Sequence, residues 1–72
     1  MNEREPRIPL SLIRRIARRY GVERVSREAL ETMRDLTEAY LALLSSESSK
    51  IAEHAKRRTI MKEDVELAFE RL

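Results

Sequence analysis

A chain of 72 residues with 39% charged and 42% hydrophobic residues, one glycine and a formal net charge of +2 reads as one helical domain, small enough to need association or other help to fold. It contains no cysteine, which excludes a disulfide framework and a thiolate metal site; no stretch resembles a signal peptide or reaches the roughly 18 apolar residues of a membrane span, so a cytoplasmic protein is expected. The charge is uneven, with eight Arg against three Glu in residues 1–27, three cations against six acids in 28–56 and four of each in 57–72, an asymmetry that points to a polyanionic partner.

The first seven residues read as an amino-terminal extension carrying Arg4 and Arg7, followed by a single domain over residues 8–72. Pro9 suits a first helical turn, and Leu12, Ile13, Ile16, Ala17 and Tyr20 recur at one-face spacing until Gly21, which predicts a helix over about 9–20 with a left-handed glycine after it. The opposite face of that helix carries Arg14, Arg15, Arg18 and Arg19.

Ser26 is a good N-cap, with Val25 and Leu30 placed as a hydrophobic staple. From there Ala29, Met33, Leu36, Thr37, Tyr40, Leu44, Ser48, Ile51 and Ala55 share one stripe, which predicts a second helix of about 30 residues. The run Ser45-Ser46-Glu47-Ser48-Ser49 is read as helix because serine costs only about half a kcal/mol per residue against alanine. Its small hydroxyls can also bond back to the preceding turn and let a neighbouring helix approach. A third helix is set by Val65, Ala68, Phe69 and Leu72 at i, i+3, i+4 and i+7.

The second helix is too long for its own globule. Thirty residues of helix span about 45 Å, whereas a compact chain of this size has a diameter of roughly 29 Å. Its middle, Tyr40-Leu41-Ala42-Leu43-Leu44, is apolar over an arc wider than one packing face needs. A second copy crossing antiparallel near residues 40 and 41 is the natural other grip, with Met33, Leu36, Tyr40 and Leu44 as the dimer core. Ser26 of one copy then lies beside Ala55 of the other, and Arg24 neighbours the partner's Arg57, Arg58 and Thr59. Cationic loops brought together in this way repel unless an anion sits on them. Duplex DNA, with a charge about every 1.7 Å of axis, is such an anion.

The segments GVERVS (21–26), HAKRRTI (54–60) and EDVELA (63–68), with a long helix between the first two, resemble the archaeal histones without a gap from about Ile8 to Leu72. The resemblance implies the all-α histone fold, short-long-short helices in an antiparallel handshake dimer whose loops pair as short parallel strands. It implies architectural, largely sequence-nonspecific binding of double-stranded DNA in the nucleoid, and stacking of dimers into larger particles. Arg24 would enter the minor groove, Arg58 and Thr59 would contact phosphates, and Arg15 with its neighbours would hold the backbone at a central site. Arg57 would clamp Asp64, while Ile51, His54, Asp64 and Leu67 would join dimers into a four-helix bundle. The sequence departs from the family pattern at Met61, where a basic or hydroxyl residue is common, at Leu41 and Leu43, which are often polar or small, and after Leu72, where a basic tail is common.

Blander readings stand beside these. The bland reading of the arginine face of the first helix is a solvated face with i,i+4 pairs, but Glu23 is the only acid between Arg7 and Arg27, which favours an external anion. Residues 56–58 could answer a helix dipole. Tyr20 and Tyr40 read as core residues with one polar end. His54 has no second His or Cys at ligand spacing, so no metal or other cofactor is expected, and its use would be a hydrogen bond to an acid across a subunit interface. No activated nucleophile or Gly-rich phosphate loop is present, so an enzyme is not expected. Two alternatives to a DNA-wrapping homodimer stay open: a histone-fold interaction subunit, as a heterodimer partner or adaptor, and a DNA-bridging variant.

Overall fold

A computed structural model describes residues 6–72; Arg4, assigned above to the extension, lies outside the described residues. The architecture is all-α in the order short, long, short: α1 (Leu10–Arg18), α2 (Arg27–His54) and α3 (Lys62–Arg71). The described residues contain no strand.

α1 is shorter than the periodicity predicts. Pro9 is its N-cap, in an extended conformation, and supplies no side-chain cap. At the other end Arg19, Tyr20 and Gly21 donate to carbonyls three residues back, at 3.1, 3.2 and 3.3 Å. This tightened last turn satisfies carbonyls that a terminating helix leaves open, and Gly21 then takes φ +87°, a conformation that disfavours any residue with a Cβ.

α2 begins where cap chemistry says it should. The Ser26 Oγ accepts the Ala29 N–H at 3.0 Å, satisfying one of the donors orphaned at a helix start. The helix then runs 28 residues without interruption, the serine run included, a length of about 42 Å. The back-bonding expected of the serines occurs instead at Thr32 and Thr37, whose hydroxyls donate to the carbonyls of Glu28 and Met33 at 2.9 and 2.7 Å. The Ser48 hydroxyl is buried and has no partner among the described residues.

The chain divides within α2 into two compact units, one ending at Glu38 and the other beginning at Ala39. In the first, Ile13 of α1 and Leu30 of α2 are the buried apolar side chains, and Val25 before the cap is half-buried. In the second, the buried positions are the small ones, Ser48 and Ala52 on α2 and Ala68 on α3, together with Asp64.

Four apolar side chains are buried among the described residues, while fourteen large ones are exposed, a ratio that leaves most of the apolar stripe without cover. The sequence reading of Tyr20 as a core residue is corrected accordingly: it is 81% exposed in the turn beyond α1, while Tyr40, assigned to the dimer core, is exposed on α2 of the single chain. Leu12, Ile16, Phe69 and Leu72, which carry the predicted faces of the short helices, are exposed as well.

Candidate nucleic-acid interface

Apart from Arg34, half-buried on α2, the basic side chains of the first unit fall into two groups. Those flanking α1 are committed to acids. Arg7 donates to Glu38 and Asp35, and the Arg27 Nε donates to Glu31 at 3.0 Å, one turn along α2. Those on α1 and in the loop after it are not. Arg14, Arg15, Arg18, Arg19 and Arg24 are exposed, and among the described residues none pairs with a carboxylate. Among the described residues the single polar contact of this set is from the Arg18 Nη2 to the Glu23 carbonyl at 3.5 Å. Spacing places Arg14, Arg15, Arg18 and Arg19 on the side of α1 away from Ile13. Arg24 follows and helps to line an apolar groove of about 700 Å³, with Ile16, Tyr20, Val22, Met33 and Leu36 among others.

In the second unit the basic loop is built on a helix stop. The Lys56 N–H donates to the Glu53 carbonyl and the Arg57 N–H to the Ala52 carbonyl, both at 2.9 Å. This is the bonding of a Schellman motif, in which the residue at C′ is left-handed. That residue is Lys56, with φ +59°, at a position where glycine is the usual occupant. The turn redirects the chain so that Arg57 reaches back to α3. Its Nη1 and Nη2 donate to Asp64 Oδ2 and Oδ1, each at 2.8 Å, and Nη1 also donates to the Thr59 carbonyl at 3.0 Å.

Asp64 completes the turn from its side. Its Oδ2 accepts the Met61 N–H at 2.8 Å, the half of a capping box in which the side chain at the third helical position satisfies the backbone donor of the N-cap residue. The Arg57 guanidinium, and next the Met61 N–H, hold the Asp64 carboxyl at about 2, well below its ordinary 3.8, against the opposing effect of burial. The Arg57 guanidinium is in turn raised above its ordinary value by Asp64. With Arg57 neutralised in place, Lys56 and Arg58 are the uncommitted cations of the loop, exposed beside Thr59.

The positions assigned to subunit contacts are distributed as follows. Met33, Leu36 and Tyr40 are exposed and Leu44 is half-buried; Ile51 is half-buried, and His54 and Leu67 are exposed. His54 makes no hydrogen bond to an acid among the described residues, and lines a polar recess with Glu47, Lys50, Ile51 and Arg71. No group of three potential metal-ligating side chains occurs among the described residues, and no helix is long and apolar enough to cross a membrane. What the arrangement offers chemically is cationic hydrogen-bond donors without carboxylates beside them, a surface suited to phosphate oxygens. Sequence reasoning missed the two commitments that define this set, the clasp on Arg7 and the left-handed Lys56.

Residues 6–69 match the family described as histone-like transcription factor (CBF/NF-Y) and archaeal histone. Among curated proteins, the archaeal histone HAN1 of Thermococcus zilligii is 36% identical over 61 residues, which cover 85% of this chain and 91% of that protein. Histone H4 of Euplotes crassus is 41% identical over 59 residues, 82% of this chain and 55% of the relative. Centromere protein T of Gallus gallus is 37% identical over 68 residues, 94% of this chain and 11% of the relative. The chain thus spans nearly all of the first, about half of the second and about a tenth of the third.

Proposed function

Because the chain belongs to the family of histone-like transcription factors and archaeal histones, whose members are not enzymes, we propose that it is an architectural protein of duplex DNA that acts as a homodimer. The observation that carries this reading is the sorting of its cations. Arg7, Arg27 and Arg57 are bound to acids of the chain itself, whereas Arg14, Arg15, Arg18, Arg19, Arg24 and Arg58 are exposed without one among the described residues. Arginines arrayed in this way serve backbone contacts and a narrowed minor groove, where binding depends on phosphate charge and DNA deformability more than on base identity.

The uncovered stripe supports the homodimer. Leu36 is 67% exposed and Met33 and Tyr40 are exposed on the same helix, and contiguous apolar surface on a small soluble chain marks an interaction face. An antiparallel pairing along α2 covers it and brings Arg24 beside the Arg58 and Thr59 of the other copy. Ile51, His54, Asp64 and Leu67 then lie where dimers would join, and the assembled protein works on the chromosome.

Binding to a random-sequence duplex over a range of salt tests the reading. The affinity is expected to fall with a log–log slope of about −0.9 for each phosphate neutralised, and replacing Arg24 and Arg58 together by Ala is expected to weaken every sequence alike. A slope near zero, or a double variant that binds as the parent does, refutes it. Nuclease digestion of coated DNA separates wrapping, which leaves a regular ladder, from bridging.

Leu41 and Leu43, both more than half exposed, favour a second reading, a histone-fold subunit that pairs with a different chain or acts as an adaptor. Mass spectrometry of the purified chain distinguishes the two: a stable homodimer supports the first, and a lone chain that aggregates supports the second.

A further inference from the structure

Glu38 is the least exposed acid of the ion pairs on α2, with 12% of its side chain accessible. Three donors converge on it. The Ile8 N–H reaches Oε2 at 2.9 Å, and the Arg7 Nε and Nη2 reach Oε1 at 3.0 and 2.7 Å. The Arg7 Nη2 also donates to Asp35 Oδ1, one turn earlier on the same helix. Arg7 first, and then the Ile8 N–H, hold the Glu38 carboxyl below its ordinary value.

An exposed ion pair alone contributes little. A backbone donor and a covered carboxylate make this one different, because they fix main chain and not only a side chain. The fixed segment lies between Pro6 and Pro9, and prolines leave a short segment few conformations to lose. It leads directly into α1, which has neither a side-chain cap nor an acid in its first turn. The Pro9 carbonyl accepts the Leu12 and Ile13 N–H groups at 3.1 and 3.4 Å. The placement of that carbonyl decides where α1 begins, and the clasp one residue earlier places it.

We propose that residues 6–9 are a strap fastened to α2 by Glu38, that Glu38 is thereby a positioning residue for the arginine face of α1, and that the clasp consumes the charge of Arg7 and withholds it from phosphate. The fastening stands on the geometry of the free chain; the consequences for α1 and for Arg7 rest on the DNA-binding reading.

Amide hydrogen exchange of the free protein tests the fastening. The Ile8 amide is expected to be protected, and Glu38→Ala to speed its exchange at least tenfold, with Leu12 and Ile13 following and α3 amides unchanged. Glu38→Gln keeps the shape and one acceptor oxygen, and is expected to give an intermediate rate even if Glu38→Ala fails to fold. An Ile8 amide that exchanges at the unprotected rate in the parent chain overturns the strap.

Salt-dependent binding to a random-sequence duplex tests the rest. Arg7→Ala is expected to keep the parent slope, whereas Arg15→Ala lowers it by about 0.9. Glu38→Ala is expected to lose affinity although it removes a negative charge, a change that electrostatics alone would make favourable. A slope that drops with Arg7→Ala, or tighter binding by Glu38→Ala, overturns the role assigned to the strap. A parent chain without affinity for duplex refutes the DNA-binding reading and the consequences drawn from it, while the exchange rates still decide whether the strap is fastened.

Discussion

The Arg57 guanidinium and the Asp64 carboxylate face each other through two parallel hydrogen bonds of 2.8 Å. The pair closes the loop between α2 and α3, and the same carboxylate accepts the Met61 N–H, the half of a capping box that the third helical residue supplies. Bidentate geometry of this kind suits arginine and not lysine, whose ammonium is a point charge.

The ionised form of Asp64 is therefore what the fold stabilises, and acid should remove it. The carboxyl titrates at about 2 in the folded chain against an ordinary 3.8, so its contribution is complete above the higher value and is lost as the pH falls toward the lower. Glu38 is shifted in the same direction, so the parent chain alone cannot separate the two. Asp64→Asn can. Its thermal midpoint is expected to lie below that of the parent near neutrality, and the gap should narrow between about pH 5 and about pH 2. Circular dichroism melts at fixed protein concentration measure this, and a gap independent of pH would assign the loss to shape and not to charge.

Lys56 holds a left-handed conformation, φ +59°, at the position where α2 stops. A side chain in that region costs about 1–2 kcal/mol, and glycine removes the clash at some cost in unfolded-state entropy. Lys56→Gly is expected to stabilise the chain by up to about 1 kcal/mol. Lys56→Ala, which keeps the Cβ, is expected to give no gain. Urea unfolding midpoints compare the three chains, and equal midpoints for the Gly and Ala variants would show that the turn is not strained.

The helices are legible in the sequence because the signals that set them are local. Ser26 announces the start of α2 through a bond to the N–H three residues on. The serine run stays helical because it contains neither Gly nor Pro and keeps the stripe in phase. The end of α1 is less legible, since Arg19 and Tyr20 are acceptable helix residues and only the three-residue bonds of the last turn show where the helix tightens and stops. Charge placement can be read along the chain, but not charge pairing. Nothing near Arg7 points to an acid thirty-one positions away, and the left-handed turn at Lys56 lacks the glycine that usually marks one. The stripe also reports which face of α2 is apolar without reporting what covers it, and so Tyr40 resembles a core residue in the sequence while standing exposed on the chain.

Ser48 presents the opposite problem to Lys56, a polar group with nothing to bond. It is 1% exposed, and its hydroxyl has no partner. An unsatisfied buried hydroxyl costs about 1–3 kcal/mol, and alanine also gains about half a kcal/mol of helix propensity. Ser48→Ala is thus expected to raise stability by about 1 kcal/mol or more. Denaturant melts decide the matter, and a destabilised variant would mean that assembly supplies the hydroxyl with a partner.

Leu36 provides the sharpest test of assembly, because its environment differs most between a lone chain and a pair. On the chain it is 67% exposed, so a charge placed there meets water and should leave the fold of a lone chain unharmed. On a covered α2 face the same charge would be buried twice per dimer. Each copy would also forgo about 1.5–3 kcal/mol of leucine burial, and an unpaired buried ammonium adds a larger cost. The parent chain is expected to melt at a temperature that rises with protein concentration, as mass action requires when folding and association are linked. Leu36→Lys is expected to abolish the dimer in sedimentation equilibrium and to leave a chain that is unfolded, or whose melting no longer depends on concentration. A variant that sediments and melts as the parent does would place the subunit contact elsewhere on the molecule, and Arg24 and Arg58 would lose the geometry that brings them together.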